Sequence, residues 1–338
     1  MKSLVCLQPK EFMYREENLP SIQDGMALVR IKRVGICGTD LHAYRGVQPF
    51  FTYPRILGHE LAGVIEDVSG NNAGLKCGDQ VTIIPYVACG ICFACRSGKT
   101  NCCSDLKVIG VHRDGGMREY ITVPLTNVIK TEGVSLDQAA MVEPLAIGAH
   151  AVRRAQLRKG DTVLVIGAGP IGLGVMAFAK EQGAKVIAMD VNEDRLKFCK
   201  EWAKVEHTVQ ALNSPVEKVE ALTNGDMPSV VFDATGNVQS MTQAFHYVSH
   251  SGKLVYVGLV KSDIQFFDPD FHKKEMILMG SRNATREDFD YVLSLLSSNY
   301  LNINKYISHR CHFDDLTEQF DKWLLPESNV IKAIVEFS

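Results

Sequence analysis

A change of rhythm near Asp161 constrains the fold more than any other feature of this sequence. From there, apolar strand-like runs alternate with helical stretches: TVLVIG precedes Ile171 to Glu181, and AKVIAMD precedes Asp194 to Ala203. Strands that alternate with helices of this length predict βαβ units and a parallel sheet. SVVFDATG, a helix from about Val238 to Tyr247, and KLVYVGL repeat the pattern. We therefore expect a second half of the same sheet.

The sequence before this point has a different character. From Met1 to about Pro124, Gly and Pro break it into short runs such as Ala27 to Val34 and Leu61 to Val68, which are typical of strands in a barrel-like sheet. A chain of 338 residues, 46% of them hydrophobic, can bury more than one core. At the other end, a strand-like run from Met276 and a helix from Arg286 lead to the tail VIKAIVEFS, which we expect to rejoin the first domain.

The run GAGPIG directly follows TVLVI and opens the next helix. By itself, a GxGxxG motif is weak evidence for a dinucleotide site, because a glycine-rich structural turn is an alternative interpretation. Between a strand and a helix, however, Gly167 permits a tight turn, Gly169 lets the backbone approach a pyrophosphate, and Gly172 lets the helix pack closely on the strand. The helix N-terminus also directs N–H groups at phosphates. The loop therefore predicts a dinucleotide site.

Asp190 ends the next apolar strand, at about the distance along the chain where a carboxylate meets the ribose hydroxyls of a dinucleotide. Its charge would repel the additional phosphate of NADP, so we predict a preference for NAD. The next basic residue is Arg195, a candidate for stacking against adenine. Further cofactor contacts are expected from Pro170, Ile171, Thr235 and Gly258.

Several of the ten cysteines crowd into one segment of a long, enzyme-like sequence, which favours metal binding over a disulfide framework. Cys89, Cys92, Cys95 and Cys103 lie in CGICFACRSGKTNCC, as two CxxC units that share Cys92 and a last ligand eight positions on. Four thiolates satisfy a tetrahedral zinc ion with no open position. An iron–sulfur cluster is the alternative, since it also takes thiolates. Cys102 adjoins Cys103, and neighbouring residues cannot easily both face one metal.

Charge and hydropathy limit the partners that this chain can have. The net charge of −3 gives no reason to expect nucleic acid as a partner. No apolar run has the length of a signal peptide or of a membrane span. We therefore expect a soluble cytoplasmic protein that acts on a small molecule, and a homo-oligomer, either a dimer or a tetramer.

Taken together, these residues resemble the zinc-containing medium-chain alcohol dehydrogenases, and in particular their polyol and threonine dehydrogenase branch. The resemblance covers the whole chain. Its motifs are GICGTDLH at 35–42, GHE at 58–60, the cysteine lobe at about 86–106, EPL at 143–145, and GAGPIG. It implies an α/β protein with a GroES-like β-barrel catalytic domain over 1–146, completed by 288–338, and a Rossmann NAD-binding domain with a doubly wound parallel sheet over 147–287. It also implies two zinc ions per chain, one structural and one catalytic, and it favours zinc over iron and Cys103 over Cys102.

The resemblance makes Cys37, His59 and a carboxylate the ligands of the catalytic zinc. Glu60 and Glu143 stand at the two positions where the branch has glutamates, and either one is a candidate ligand. A thiolate, an imidazole and a carboxylate leave a fourth position for water or an alcohol. Asp40 occupies the position that orients the histidine ligand. Considered singly, such a cysteine or histidine is more often structural.

In the mechanism that the resemblance implies, zinc acts as a Lewis acid on the alcohol oxygen. Thr39 accepts the substrate proton and passes it through the cofactor ribose to His42, whose near-neutral pKa suits proton release. The hydride goes to the nicotinamide ring of NAD. The expected reaction is the oxidation of a secondary alcohol to a ketone.

Within the family, the sequence resembles the bacterial L-galactonate and L-gulonate 5-dehydrogenases. The similarity lies in VQPFF at 47–51, GVHRDGG at 110–116, and residues 271–289. A sugar acid needs a cation for its carboxylate. The candidates are Arg45, Arg113, Lys274 and Arg282. The alternative role for each is that of a solvated surface charge or of a contact with the pyrophosphate of the cofactor.

Three alternative functions stay open at this stage. A polyol such as sorbitol and L-threonine are the alternative substrates. A zinc-stabilised, NAD-binding regulatory protein is the alternative without turnover, although such a protein would have no need for an open zinc site with a proton path.

Overall fold

The computed structural model describes residues 1–48, 51–70 and 74–338. Pro49 and Phe50 of the VQPFF run therefore lie outside the described residues. The strands are β1 (Lys2–Gln8), β2 (Glu11–Glu16), β3 (Met26–Ile36), β4 (Arg55–Ile56), β5 (Glu60–Val68), β6 (Gln80–Ile83), β7 (Tyr86–Val87), β8 (Lys107–Val108), β9 (Tyr120–Pro124), β10 (Val128–Lys130), β11 (Thr162–Ile166), β12 (Lys185–Asp190), β13 (His207–Gln210), β14 (Val230–Asp233), β15 (Lys253–Tyr256), β16 (Ile277–Gly280), β17 (Ile307–His312) and β18 (Lys332–Glu336).

The helices are α1 (Gly38–Tyr44), α2 (Phe93–Arg96), α3 (Leu136–Ala140), α4 (Val142–Ala155), α5 (Pro170–Glu181), α6 (Glu193–Phe198), α7 (Pro215–Leu222), α8 (Val238–Gln243), α9 (Asp268–Lys273), α10 (Arg286–Ser297), α11 (Ile303–Tyr306) and α12 (Leu316–Trp323). Among the described residues, no helix has the length and apolar character of a membrane span. The chain forms two compact units: the first contains residues 1–144 and 285–338, and the second contains residues 145–284.

The first unit is built on a sheet with the strand order β10-β6-β5-β3-β18-β17, and β9 also pairs with β3. In β3, apolar residues alternate with polar ones because one face of the strand packs on the core, where Val29 and Ile31 are buried. The tail strand β18 pairs antiparallel with β3, with Val335 opposite Val34. The expected return of the tail to the first domain is therefore confirmed.

The second unit contains a six-stranded parallel sheet with the order β13-β12-β11-β14-β15-β16. Counted within the unit this is 3-2-1-4-5-6, the doubly wound order, in which ligands bind at the carboxyl edge beside the first strand. The central strand β11 is buried from Val163 to Ile166, as the apolar run TVLVI predicts for a strand covered on both faces. The predicted parallel sheet is confirmed.

Two predicted helices of the second unit end differently from the prediction. The helix expected to run from Asp194 to Ala203 is α-helical only to Phe198 and then continues as a π-helical turn, Cys199–Ala203. Lys204 ends it in the left-handed conformation, with φ of 55°. The helix expected to end at Tyr247 changes to a 3₁₀ turn after Gln243. Such changes in hydrogen-bond register are common at helix ends, and apolar periodicity does not report them.

Candidate active site

A loop of the first unit brings four sulfur atoms together. The ligand atoms of Cys89, Cys92, Cys95 and Cys103 all lie within 4.8 Å of one another. Cys92 immediately precedes the short helix α2, which carries Cys95, so the loop turns back on itself. Cys103 is 2% exposed and joins the cluster, whereas the adjacent Cys102 is exposed and does not. This geometry matches the expectation that only one of the two neighbours faces a metal.

The backbone around these sulfurs favours thiolates. N–H groups of Cys95 and Ser104 lower the pKa of Cys92 to about 5, and those of Ile91 and Cys92 lower the pKa of Cys89. Desolvation, followed by the nearby sulfur of Cys92, raises the pKa of Cys95 to about 12. Four sulfurs this close cannot all carry a charge without a cation among them. The cluster therefore has the chemistry of a closed metal site with four thiolate ligands.

A second donor set lies in the interior of the same unit. The ligand atoms of Cys37, His59 and Glu60 also lie within 4.8 Å of one another. Cys37 follows β3, His59 precedes β5, and Glu60 begins β5, where it pairs with Gly35 of β3. A Cβ atom on Gly35 would stand 2.0 Å from Glu60 Oε2. The glycine of the GICGTDLH motif thus leaves the space that the glutamate occupies.

Asp40 stands behind two members of this set. Its Oδ2 accepts a 2.9 Å hydrogen bond from the Cys37 N–H, and its Oδ1 lies 3.6 Å from His59 Nδ1. Burial would lower the pKa of His59, but the charges of Asp40 and Cys37 raise it well above its ordinary value. Glu60 Oε2 is buried and has no hydrogen-bond partner in the described part of the chain. A thiolate, an imidazole and an orphaned carboxylate oxygen fit zinc or a similar divalent cation.

Lys332 holds the other oxygen of Glu60. Its Nζ donates to Glu60 Oε1 at 2.6 Å and to the carbonyl of Ile36 at 3.2 Å. Lys332 is 2% exposed and Glu60 is 0% exposed. Burial would lower the pKa of Lys332, but the carboxylate of Glu60 raises it above its ordinary value, so the two form a buried ion pair. Sequence reasoning missed Lys332; the available signal was a lysine within the apolar tail VIKAIVEFS.

Glu143 has a different partner. The hydroxyl of Tyr86 donates to Glu143 Oε1, and both side chains are buried. Burial raises the pKa of Glu143 to about 7; the charge of His59 opposes this shift, and that of Glu60 adds to it. Glu143 thus lies close enough to the mixed donor set to interact with two of its members. Tyr86 was not identified from the sequence, because nothing in the run IIPYVAC distinguishes it from a core aromatic.

Helix α1 carries the residues assigned to proton transfer. Thr39 is partly exposed near its start, and His42 is exposed one turn later. Desolvation, followed by the positive charge of Arg45, lowers the pKa of His42. A histidine with a lowered pKa is neutral at pH 7 and is able to accept a proton.

The four cations considered for a substrate carboxylate are divided between the two units. Arg45 ends α1, and Arg113 is exposed beside a cavity of about 280 Å³; both belong to the first unit. Lys274 and Arg282 belong to the second unit. The Nζ of Lys274 donates to the carbonyl of Val248 at 2.8 Å, and Arg282 is exposed.

The second unit contains a cavity of about 900 Å³ at the carboxyl edge of its sheet, lined among others by Gly167, Gly169, Asp190, Arg195 and Thr235. Gly167 has a φ of 98°, as a tight turn requires. A Cβ atom on Gly172 would stand 1.8 Å from the Gly167 carbonyl oxygen, whereas one on Gly169 would point into open space. The third glycine therefore serves packing, and the second leaves room for a ligand at the N-terminus of α5.

Asp190 is bonded to the glycine loop. Its Oδ2 accepts from the Ala168 N–H at 2.6 Å and its Oδ1 accepts from the Asn192 N–H at 2.8 Å. Each carboxylate oxygen has a second lone pair, so acceptors remain for two hydroxyls.

Four of the residues predicted to contact the cofactor are not among those that line the cavity in the described part of the second unit: Pro170, Ile171, Gly172 and Gly258. Pro170 and Ile171 form the first turn of α5. A Cβ atom on Gly258 would stand 2.4 Å from the Gly236 nitrogen, so close packing requires this glycine.

Comparison with known proteins gives matches to both units. The family model of the alcohol dehydrogenase GroES-like domain matches residues 23–133, and that of the zinc-binding dehydrogenases matches residues 170–298. The chain is 44% identical to L-galactonate-5-dehydrogenase of Escherichia coli K12, over 100% of this chain and 99% of that protein. It is 32% identical to 2-dehydro-3-deoxy-L-galactonate 5-dehydrogenase of Pseudoalteromonas atlantica, over 92% of each chain.

A solved structure resembles the whole chain. The alcohol dehydrogenase RspB of Escherichia coli CFT073, in complex with NADH, superimposes with a TM-score of 0.92 at 32% identity, over 100% of this chain and 99% of that one.

Proposed function

The chain belongs to the zinc-binding dehydrogenases with an alcohol dehydrogenase GroES-like domain, and we propose that it oxidises a sugar acid at a secondary alcohol, with NAD as the oxidant. In balanced form, CH–OH and NAD⁺ give C=O, NADH and a proton. The first unit is proposed as the catalytic domain and the second as the NAD-binding domain, with the domain bounds predicted from the sequence. Membership of a dehydrogenase family argues against the regulatory alternative.

One observation carries the proposal: a buried set of unlike donors that holds an orphaned carboxylate oxygen. The charges around the set also suit a divalent cation. Lys332 already pairs with Glu60, so Cys37 and Glu143 are the remaining groups whose deprotonated forms a divalent cation would balance. A zinc ion bound there supplies the Lewis acidity that makes an alcohol proton easier to remove.

The chain's own residues receive the proton. Thr39 lies on the helix that begins directly after Cys37, so we assign its Oγ1 atom as the first acceptor. His42, one turn further and exposed, is assigned to release the proton to solvent, because its lowered pKa keeps Nδ1 or Nε2 free at pH 7. Asp40 keeps the backbone of Cys37 and the ring of His59 in place.

The cavity of the second unit supports NAD as the cofactor. It has the glycine loop at the start of α5 and Asp190 at the end of β12, as dinucleotide sites of this topology do. Asp190→Ala should narrow the preference for NAD over NADP, since it removes both the ribose acceptors and the repulsion of a 2′-phosphate. Equal use of NAD and NADP by the unmodified enzyme would contradict this assignment.

A six-carbon aldonate is the proposed substrate class, with L-galactonate and L-gulonate as the first compounds to test. The support is the 44% identity, over the full chain, to a protein named L-galactonate-5-dehydrogenase. Oxidation at carbon 5 places the carboxylate at the far end of the substrate, so a cation several ångströms from the metal has to hold it. Arg45 is the first candidate, because it ends the helix that carries Thr39 and His42.

The test is a comparison of kcat/KM for L-galactonate, L-gulonate, sorbitol and L-threonine, followed by the absorbance of NADH. We expect one or both aldonates to be preferred. Replacing the carboxylate-binding cation, tested singly as Arg45→Gln, Arg113→Gln, Lys274→Gln and Arg282→Gln, should reduce kcat/KM about ten- to a hundredfold for the aldonate and little for sorbitol. Equal turnover of sorbitol and both aldonates would show that no carboxylate site exists and would favour the polyol function.

A further inference from the structure

Tyr86 connects the base of the cysteine lobe to the mixed donor set. It lies in β7, three positions before Cys89, and β7 pairs with β8 just beyond the end of the lobe, with Tyr86 opposite Val108. The two-stranded sheet thus closes the lobe at its base. The Tyr86 side chain leaves this sheet and reaches Glu143, to which its hydroxyl donates.

The backbone that carries Tyr86 is held on two further sides. The N–H of Ile109 donates to the Pro85 carbonyl at 2.9 Å. The Nδ2 of Asn127, a buried residue, donates to the carbonyls of Ile84 at 2.8 Å and of Tyr86 at 3.2 Å. With its backbone held and only two side-chain torsions, a buried tyrosine presents its hydroxyl at a defined point.

The two glutamates of the site follow the same plan with unlike donors. In each, one carboxylate oxygen accepts a hydrogen bond from a buried side chain, and the second oxygen of Glu60 has no partner among the described residues. The donor to Glu60 is the cation of Lys332, whereas the donor to Glu143 is the neutral hydroxyl of Tyr86.

We propose that Tyr86 is a positioning residue for the catalytic metal: its hydroxyl occupies Oε1 of Glu143 and so presents Oε2 as the metal-binding atom. Because Tyr86 belongs to the base of the cysteine lobe, it also links the order of that lobe to the geometry of the mixed set. This inference rests on the proposed function, since it takes Glu143 as a ligand of the catalytic zinc.

The test measures metal release and ligand geometry rather than turnover alone. The holoenzyme and its Tyr86→Phe variant are exposed to a chelator, and the loss of each of the two zinc ions is followed. The variant should release the catalytic zinc about 10- to 100-fold faster, as is usual when a partner of a metal ligand is lost, and should keep the structural zinc. With Co²⁺ in the catalytic site, the visible spectrum of the variant should differ from that of the parent enzyme.

Two further variants separate positioning from a general loss of packing. Tyr14→Phe removes a hydroxyl that donates to the Phe313 carbonyl in the same unit, and it should leave metal release unchanged. In a Glu143→Ala background, Tyr86→Phe should have no additional effect, because its point of action is gone. If Tyr86→Phe is too unstable to purify, Asn127→Ala keeps the hydroxyl and loosens its backbone, and a smaller increase in release is expected.

If Tyr86→Phe released zinc at the same rate as the parent enzyme and kept the parent's cobalt spectrum, the inference would be overturned. It would also be overturned if Tyr86→Phe changed the rate of zinc release equally in the parent enzyme and in the Glu143→Ala variant. Failure of the unmodified enzyme to oxidise any aldonate would instead contradict the proposed substrate, and the metal-release comparison would still decide the role of Tyr86.

Discussion

The two donor sets of the first unit are built in opposite ways. The cysteine lobe takes four like ligands from one loop, residues 89–103, and backbone N–H groups stabilise the thiolates of Cys89 and Cys92. The mixed set takes unlike ligands from the end of β3 and the start of β5; its Glu60 is held by Lys332 of β18, and the neighbouring Glu143 is held by Tyr86 of β7. One set is local and mostly half-buried, whereas the other is assembled from distant segments and is mostly buried.

This difference indicates different tasks. A closed set of thiolates on one loop organises that loop, so its metal-binding energy contributes to folding. A buried set of unlike donors keeps its geometry through the surrounding core and leaves room for a further ligand. Substitutions in the first set should therefore affect stability before activity, and those in the second should do the reverse.

The largest effect is expected for Cys89→Ser. It removes one thiolate of the lobe, and the free energy of unfolding should fall on the order of 5 kcal/mol or more, since structural zinc contributes comparable or larger energies. Denaturant unfolding and zinc analysis would measure this, with Cys77→Ser, an exposed cysteine outside both sets, as the control. If Cys89→Ser lost one zinc ion without a change in its free energy of unfolding, the lobe would not be a structural site, and the proposed difference between the two sets would be contradicted.

Cys37→Ser should abolish turnover with little loss of fold. Without the thiolate the catalytic metal is weakly held, and the missing Lewis acidity is worth at least about 4 kcal/mol, or roughly a thousandfold in kcat. Steady-state kinetics and thermal unfolding of the same preparation provide the test. If stability falls as far as in Cys89→Ser, the mixed set is as much a structural element as the lobe.

Lys332→Met examines the buried ion pair. It leaves the charge of Glu60 unpaired in the core, which typically destabilises a protein by about 3–5 kcal/mol. The double variant Glu60→Gln/Lys332→Met removes both charges and should recover much of that loss. A double-mutant cycle on unfolding free energies measures the coupling. Additive losses would mean that the two side chains act independently.

The smallest effect is expected for Cys102→Ser, which should change the free energy of unfolding by less than about 0.5 kcal/mol and keep both zinc ions. Cys103→Ser, its matched partner, should behave like Cys89→Ser. Zinc analysis of the pair tests the choice between adjacent cysteines. If Cys102→Ser lost zinc and stability while Cys103→Ser did not, Cys102 would be the fourth ligand.

Local patterns were sufficient for much of the fold and for the cysteine lobe. TVLVI and KVIAMD were identifiable as buried parallel strands because a strand covered on both faces needs an unbroken apolar run. The cysteines were identifiable because ligands on one loop have to recur at short spacing. The resemblance of whole motifs, rather than spacing, brought Cys37, His59 and the two glutamates into one set.

The sequence by itself therefore determined the alternation that makes the second unit, the glycine loop, and the metal chemistry of the lobe. The family resemblance favoured Cys103 over Cys102, and the structure brings Cys103 to the other sulfurs. Only the tertiary structure decided that Lys332 neutralises Glu60 and that Tyr86 reaches Glu143. The physical reason is distance along the chain. Spacing controls which atoms meet within one loop or one helix, but Glu60 and Lys332 are 272 positions apart, and they meet only because β18 and β5 both pair with β3.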